Sequence, residues 1–212
     1  MANKIFKIGL FFTAIQFLLS SSCNKNGTSP CVNGGYSIAI NSEWSPQNQV
    51  YSIGDSICLN SNFSKTIADL INPTSQIDYS NSVGIGGNLT IYSLDTVNHV
   101  PLGGISKFNF VVGSGNISPG TIVPEEVINI LYAELPNSYS FSLNVIARQK
   151  GIFVFFVSDL SSNGLRGKNC TNAGFINTLS NTERGVGLFE YAMARPPASQ
   201  FEIERMYCFR VE

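Results

Sequence analysis

His99 is the only imidazole in a chain of 212 residues, and five cysteines are its only thiols. A nucleophilic triad would need His99 as its base. It sits in "DTVNHVPLGG", a turn-like setting, and no G-x-S-x-G accompanies it. Glu125 and Glu126 are adjacent, so they point different ways and do not make the facing pair that glycosidic cleavage requires. Asp55 follows Gly54 and reads as a turn residue. No D-x-D-x-D-G calcium loop occurs, and "GSGN" (113–116) is too short to cradle a phosphate. The sequence therefore predicts no catalytic constellation, no cofactor and no metal site.

The cysteines carry more information. Cys23 ends "MANKIFKIGLFFTAIQFLLSSSC": two lysines, Lys4 and Lys7, then an apolar run from Ile8 to Leu19, then three serines. A basic start, a short apolar core and small residues before a cut are the layout of a secretory signal, and the run is short for a membrane span. Asn24 to Pro30 are polar and turn-forming, which predicts a flexible tether. The expected organisation is a signal over 1–22, a tether over 23–35 and one elaborated domain over 36–212.

A secreted chain meets an oxidising compartment, so Cys31, Cys58, Cys170 and Cys208 read as an even disulfide set. Three connectivities are possible. Cys170 with Cys208 and Cys31 with Cys58 would keep each bridge within one half of the chain, and the longer loop would contribute about 4 kcal/mol on the chain-entropy model. The alternative is a pair of free thiols, with Cys58 the first candidate because it lies inside a strand pattern. Zinc is disfavoured by the absence of any C-x-x-C and by the single histidine.

Thirteen basic and fourteen acidic residues leave a net charge of −1. With no basic stripe, nucleic acid is excluded as an expected partner. Charged residues are only 13% of the chain, and Asn, Ser and Gly take their place, as in secreted β-rich proteins. Strand signals fill the sequence. Tyr36–Ile40, Asn88–Leu94, Lys107–Gly113 and Ser138–Ala147 alternate apolar and polar residues, and Ile152–Ser158 is a continuous apolar run suited to a strand buried on both faces. "AGFINTLS", "GVGLFEYA" and "YCFRV" complete the strand set. One short helix is expected over Pro124–Leu135, because Pro124 suits a first helical position, Glu125 and Glu126 suit the helix N-terminus, and Val127, Ile130 and Leu131 fall at helical spacing; a strand is the alternative. The fold class is all-β, an immunoglobulin-like antiparallel sandwich.

Three stretches resemble known families. Leu-Ser-Ser-Ser-Cys resembles the lipobox of bacterial lipoproteins of the Bacteroidota type, with Leu19 one place further back than usual. The resemblance implies that Cys23 is diacylated or palmitoylated and becomes the first residue of an outer-membrane lipoprotein. The absence of an acidic cluster after Cys23 leans towards the periplasmic face. Each buried methylene contributes about 0.8 kcal/mol, so two or three chains would anchor the protein durably. "YSIGDSICL" resembles the A′–B region of immunoglobulin-like envelope domains. "CTNAGF…MYCFRV" resembles the ending of a group of uncharacterised lipoproteins from the same kind of bacteria, and it too implies the Cys170–Cys208 pairing. "DSI" and "DTV" resemble O-glycan acceptors of such envelopes, which implies modification at Ser56 and Thr96.

Trp44, in "NSEWSPQNQVY", has two readings: an exposed platform for stacking a glycan, or a ring closing one end of the core. The expected function is a non-catalytic structural, adhesion or accessory module, attached to the membrane through Cys23 and partnered by an unknown envelope protein or glycan. The alternative is a lipoprotein that binds glycans or other ligands for nutrient uptake.

Overall fold

The computed structural model describes residues 35–123 and 125–212. The expected signal, Cys23 and Cys31 lie outside the described residues, as do Pro124 and all of the tether but Gly35.

Of the sixteen strands, fourteen build two facing sheets and two form a small hairpin of their own. The strands are β1 (Tyr36–Ser45), β2 (Val50–Tyr51), β3 (Ser56–Ser64), β4 (Thr66–Ala68), β5 (Gln76–Asp78), β6 (Gly86–Asp95), β7 (Val100–Gly103), β8 (Phe108–Ser114), β9 (Asn116–Pro119), β10 (Val127–Leu131), β11 (Ala133–Glu134), β12 (Ser138–Ala147), β13 (Gly151–Val157), β14 (Leu160–Ser162), β15 (Ala173–Leu179) and β16 (Met206–Val211). Two helices, α1 (Val186–Met193) and α2 (Gln200–Ile203), fall between β15 and β16.

β1 joins the sheets. Tyr36–Ser42 run parallel to β15, and Glu43–Ser45 then turn onto β3 antiparallel. One sheet continues through β12, which pairs with β3 along its length and with β8 and β11 on its other edge. The other runs through β15 and β14 to β6, then β13, β16 and β2. The free edge of β6 carries β10 near its start and β7 near its end, and β9 extends β10. β4 and β5 form a separate small hairpin.

The pleat explains the core. On β12, Tyr139, Phe141, Leu143 and Val145 point inward and are buried, and the alternating serines and Asn144 stay partly exposed. They meet Phe153, Phe155 and Val157 of β13 and Tyr207, Phe209 and Val211 of β16 across the sandwich. The outer residues of β13 and β16 are buried as well, because α1 lies over them. Val154, Ile152, Met206 and Cys208 pack with Phe189, Ala192 and Met193 in a second apolar cluster. The uninterrupted apolar run of β13 thus has a layer on each face.

The chain forms the expected all-β, immunoglobulin-like sandwich, with three departures. It is a mixed sheet, since β1–β15 and β16–β2 are parallel. The helix expected over 124–135 is instead β10 and β11. Ile128 and Ile130 go inward and Val127, Asn129 and Leu131 outward, so a period of two wins where β-branched residues fit both patterns. "GVGLFEYA", expected as a strand, is α1; Gly185 precedes it with φ +67, a left-handed turn that sends the chain over the sheet.

The disulfide expectations also change. Cys58 and Cys208 are free thiols, so neither Cys170–Cys208 nor Cys31–Cys58 is made. Cys208 faces the α1-covered cluster and is fully buried, and burial pushes its thiol up to about 12. Cys170 sits on an exposed loop with φ +59 and is disulfide-bonded, with neither of these two as its partner. Cys58 points away from the core between Ile57 and Leu59, with Sγ 3.6 Å from Ser142 Oγ.

Candidate functional site

Trp44 is not a surface platform. It is wholly buried, with its ring stacked 6.1 Å from Tyr207 and 5.0 Å from Phe155. The strand pattern of β1 simply continues through "SEWS" to the cis Ser45–Pro46 bond. Asn181, itself buried, accepts from Trp44 N (2.9 Å) and donates to Trp44 O (2.8 Å). Behind the ring, Tyr51 and Tyr207 share a hydrogen bond of 2.8 Å, and Tyr207 donates to Asn48 O. Burial raises both phenols above their usual range.

His99 is committed to structure. It lies in the β6–β7 turn at φ +56, with Nδ1 2.9 Å from Ala192 O, and so ties that turn to α1. Asp95 stabilises the same turn by accepting from Val97 N, Asn98 N and Asn98 Nδ2, and these bonds hold its carboxyl below the usual range. Asp55 Oδ2 accepts from Ser52 N at 2.7 Å. Both aspartates of the Asp-Ser/Thr-apolar motifs therefore have turn roles, and Ser56 and Thr96 beside them are exposed. Among the described residues no group of three or more His, Cys, Asp or Glu is placed to hold a metal ion.

The feature that sequence reasoning missed is the outer face of the β6 sheet. Strand register lays polar side chains across it in a row: Ser118 of β9 opposite Asn129 of β10, Asn129 opposite Asn88 of β6. Ser158, just past β13, extends the row by accepting from Asn88 N (2.8 Å) and donating its own amide to Asn88 O (2.9 Å). The next row places Leu131 opposite Gly86, and Gly86 opposite Ser161 of β14. Gly86 leaves the floor as bare backbone; a Cβ there would lie 2.7 Å from Ile130 O. These rows line an open groove of about 720 Å³, within the range of ligand sites.

Two residues further along β6 the chemistry changes. Thr90 and Phe156 pair, and Tyr92 stands edge-on to Phe156 at 6.4 Å between ring centres. Phe201 of α2 closes this end, forming an apolar cleft of about 320 Å³ that shares Ser158 with the polar groove. Phe201 is 59% exposed, and the Arg205 guanidinium backs its ring 3.5 Å from the centre. Arg205 is fixed in turn by Asp159, Nη2 to Oδ1 at 2.6 Å. Burial raises the Tyr92 phenol, and Glu126 beside it adds to the shift. A third cleft, near α1, is lined by Arg184, whose guanidinium is already used on three carbonyls, those of Leu179, Asn181 and Ile203.

No protein-family model matches the chain, and no curated protein matches it. Among solved structures it is similar to the second type II cohesin module of the cellulosomal adaptor ScaA scaffoldin of Acetivibrio cellulolyticus, at 8% identity and a TM-score of 0.35 over 69% of this chain and 94% of that one. A cohesin module from a family 33 glycoside hydrolase of Clostridium perfringens gives 9% identity and a TM-score of 0.33, over 66% and 98%. The human F-spondin reeler domain gives 11% and 0.30, over 71% and 99%. At TM-scores of this size these likenesses assign neither a family nor a function to the chain.

Proposed function

We propose that this protein is a lipid-anchored, non-catalytic recognition or structural module of a bacterial cell envelope. Acyl chains on Cys23, added as residues 1–22 are removed, hold it in the outer membrane, and its sandwich domain faces the periplasm. The observation that carries the reading is the sequence of Lys4 and Lys7, the apolar run to Leu19, and Ser-Ser-Ser-Cys followed at once by polar turn formers. Capture of a glycan or other ligand for uptake is the second reading, favoured by the groove on the β6 face. Thr96 and Ser56 are its proposed O-glycan acceptors, tested by a hexose ladder in the intact mass.

Protease shaving of cells expressing the tagged protein tests the location. Protection in intact cells, with cleavage once the outer membrane is opened, is expected. Cleavage from intact cells would place the domain outside and refute the periplasmic assignment.

A further inference from the structure

We infer that the outer face of the β6 sheet binds a neutral saccharide, with the exposed Phe201 ring against the apolar face of a pyranose and the Ser118–Asn129–Asn88–Ser158 row against its hydroxyls. The inference rests on the proposal that the domain serves recognition, and it adds the ligand class and the site.

The chemistry of the two ends is complementary to a sugar. A pyranose offers C–H groups on one face and hydroxyls around its rim, and each hydroxyl both donates and accepts. Carboxamides and hydroxyls match that dual character; ammonium and carboxylate groups do not. The row is made of such neutral groups. Asn129 Nδ2 donates to Pro119 O at 3.0 Å and reaches Ser118 Oγ at 3.4 Å, which orients it, and the exposed Asn88 carboxamide makes no hydrogen bond among the described residues. The row itself carries no charge, and beside it Asp159 Oδ1 holds Arg205 and accepts from Asn177 N. An acidic or basic ligand would find no uncommitted counter-charge in the row.

The aromatic end is ordered in advance. Arg205 backs Phe201 and is fixed by Asp159, so the ring loses little freedom when a ligand stacks on its open side. At the opposite end, Leu131 and Val83, each nearly half exposed, offer a second apolar contact. Gly86 to Tyr92 along β6 span about 20 Å at strand rise, which suits an extended oligosaccharide more than a single ring.

The test uses the full chain purified in detergent, applied to an array of neutral and acidic oligosaccharides, then titrated calorimetrically with the neutral oligosaccharide it retains. Retention on a neutral glycan is expected, weakened about tenfold by Phe201→Ala and several-fold by Asn88→Ala or Asn129→Ala. Phe201→Tyr should bind like the parent, and all variants should keep the parental melting temperature, since these side chains are at the surface. Retention on acidic glycans only, on none, or equally by parent and the three alanine variants would overturn the site. A chain that enters the membrane fraction through Cys23 yet ignores every neutral glycan would refute the saccharide site alone and leave the anchor standing.

Discussion

Replacing Trp44 by alanine separates a core role from a ligand platform. A buried tryptophan removes about 150–250 Å² from water, worth about 4–6 kcal/mol at 25 cal/mol per Å², an upper bound because the unfolded chain already hides part of it. Trp44 is fully buried against Phe155 and Tyr207, so nearly all of that area counts. Against it stands one cost: Trp44 Nε1 is buried without a hydrogen-bond partner, a penalty of about 1–3 kcal/mol that the substitution relieves. The net loss expected for Trp44→Ala is about 3 kcal/mol. Trp44→Phe keeps most of the ring contacts and also removes the orphan donor, so it should stay within about 1.5 kcal/mol of the parent. Urea unfolding followed by far-UV circular dichroism is the assay, because Trp44 is the only tryptophan and its fluorescence disappears with it. With a slope of about 1–3 kcal/mol per molar urea, the alanine variant's midpoint should fall by about 1–3 M. A shift below about 0.5 kcal/mol is the signature of a surface residue and would refute the core assignment.

Three further outcomes follow from the same packing. Asn181→Ala strands the amide and carbonyl of Trp44 in the core and should cost about 2–4 kcal/mol in the same urea assay. Gly185→Ala forces a Cβ into the left-handed region and against the Cys208 carbonyl oxygen, so calorimetry should show a loss of about 3 kcal/mol or more. The Cys208 thiol titrates at 9.0 unperturbed and near 12 when folded, so its contribution is intact below pH 9 and is lost as the pH climbs towards about 12. The full loss is about 4 kcal/mol, and Cys208→Ala should show a shallower alkaline decline in its unfolding midpoint than the parent; identical declines would contradict it.

The strands that face water on one side were legible because their chemistry alternates. β12 needs no context: aromatic and aliphatic residues at every second position predict its inner face, and those residues are the buried ones. β10 was not legible, since Val127, Ile130 and Leu131 satisfy a helical stripe and a strand alike, and only the pairing with Asn88 and Ser118 decides. α1 was misread for a related reason: Val186, Phe189 and Tyr191 in "GVGLFEYA" have strand propensity, and the layer that α1 covers makes it a helix. Trp44 beside a proline looked loop-like, yet β1 runs to Ser45. The groove was the least visible feature. Asn88, Ser118, Asn129 and Ser158 come from four separate segments, and no spacing in the sequence relates them; strand register alone sets them side by side. The cysteine pairing failed because sequence proximity says nothing about which face a side chain takes, and Cys208 faces a covered apolar layer.

The anchor on Cys23 is the central proposal, and metabolic labelling tests it directly. Cells expressing the tagged chain are fed an alkyne analogue of palmitate, and the immunoprecipitated protein is conjugated to a fluorophore. The parent should label and partition into the detergent phase of a Triton X-114 extraction, and Cys23→Ala should do neither. Equal labelling of both, or detergent partitioning that survives the substitution, would contradict the lipid anchor.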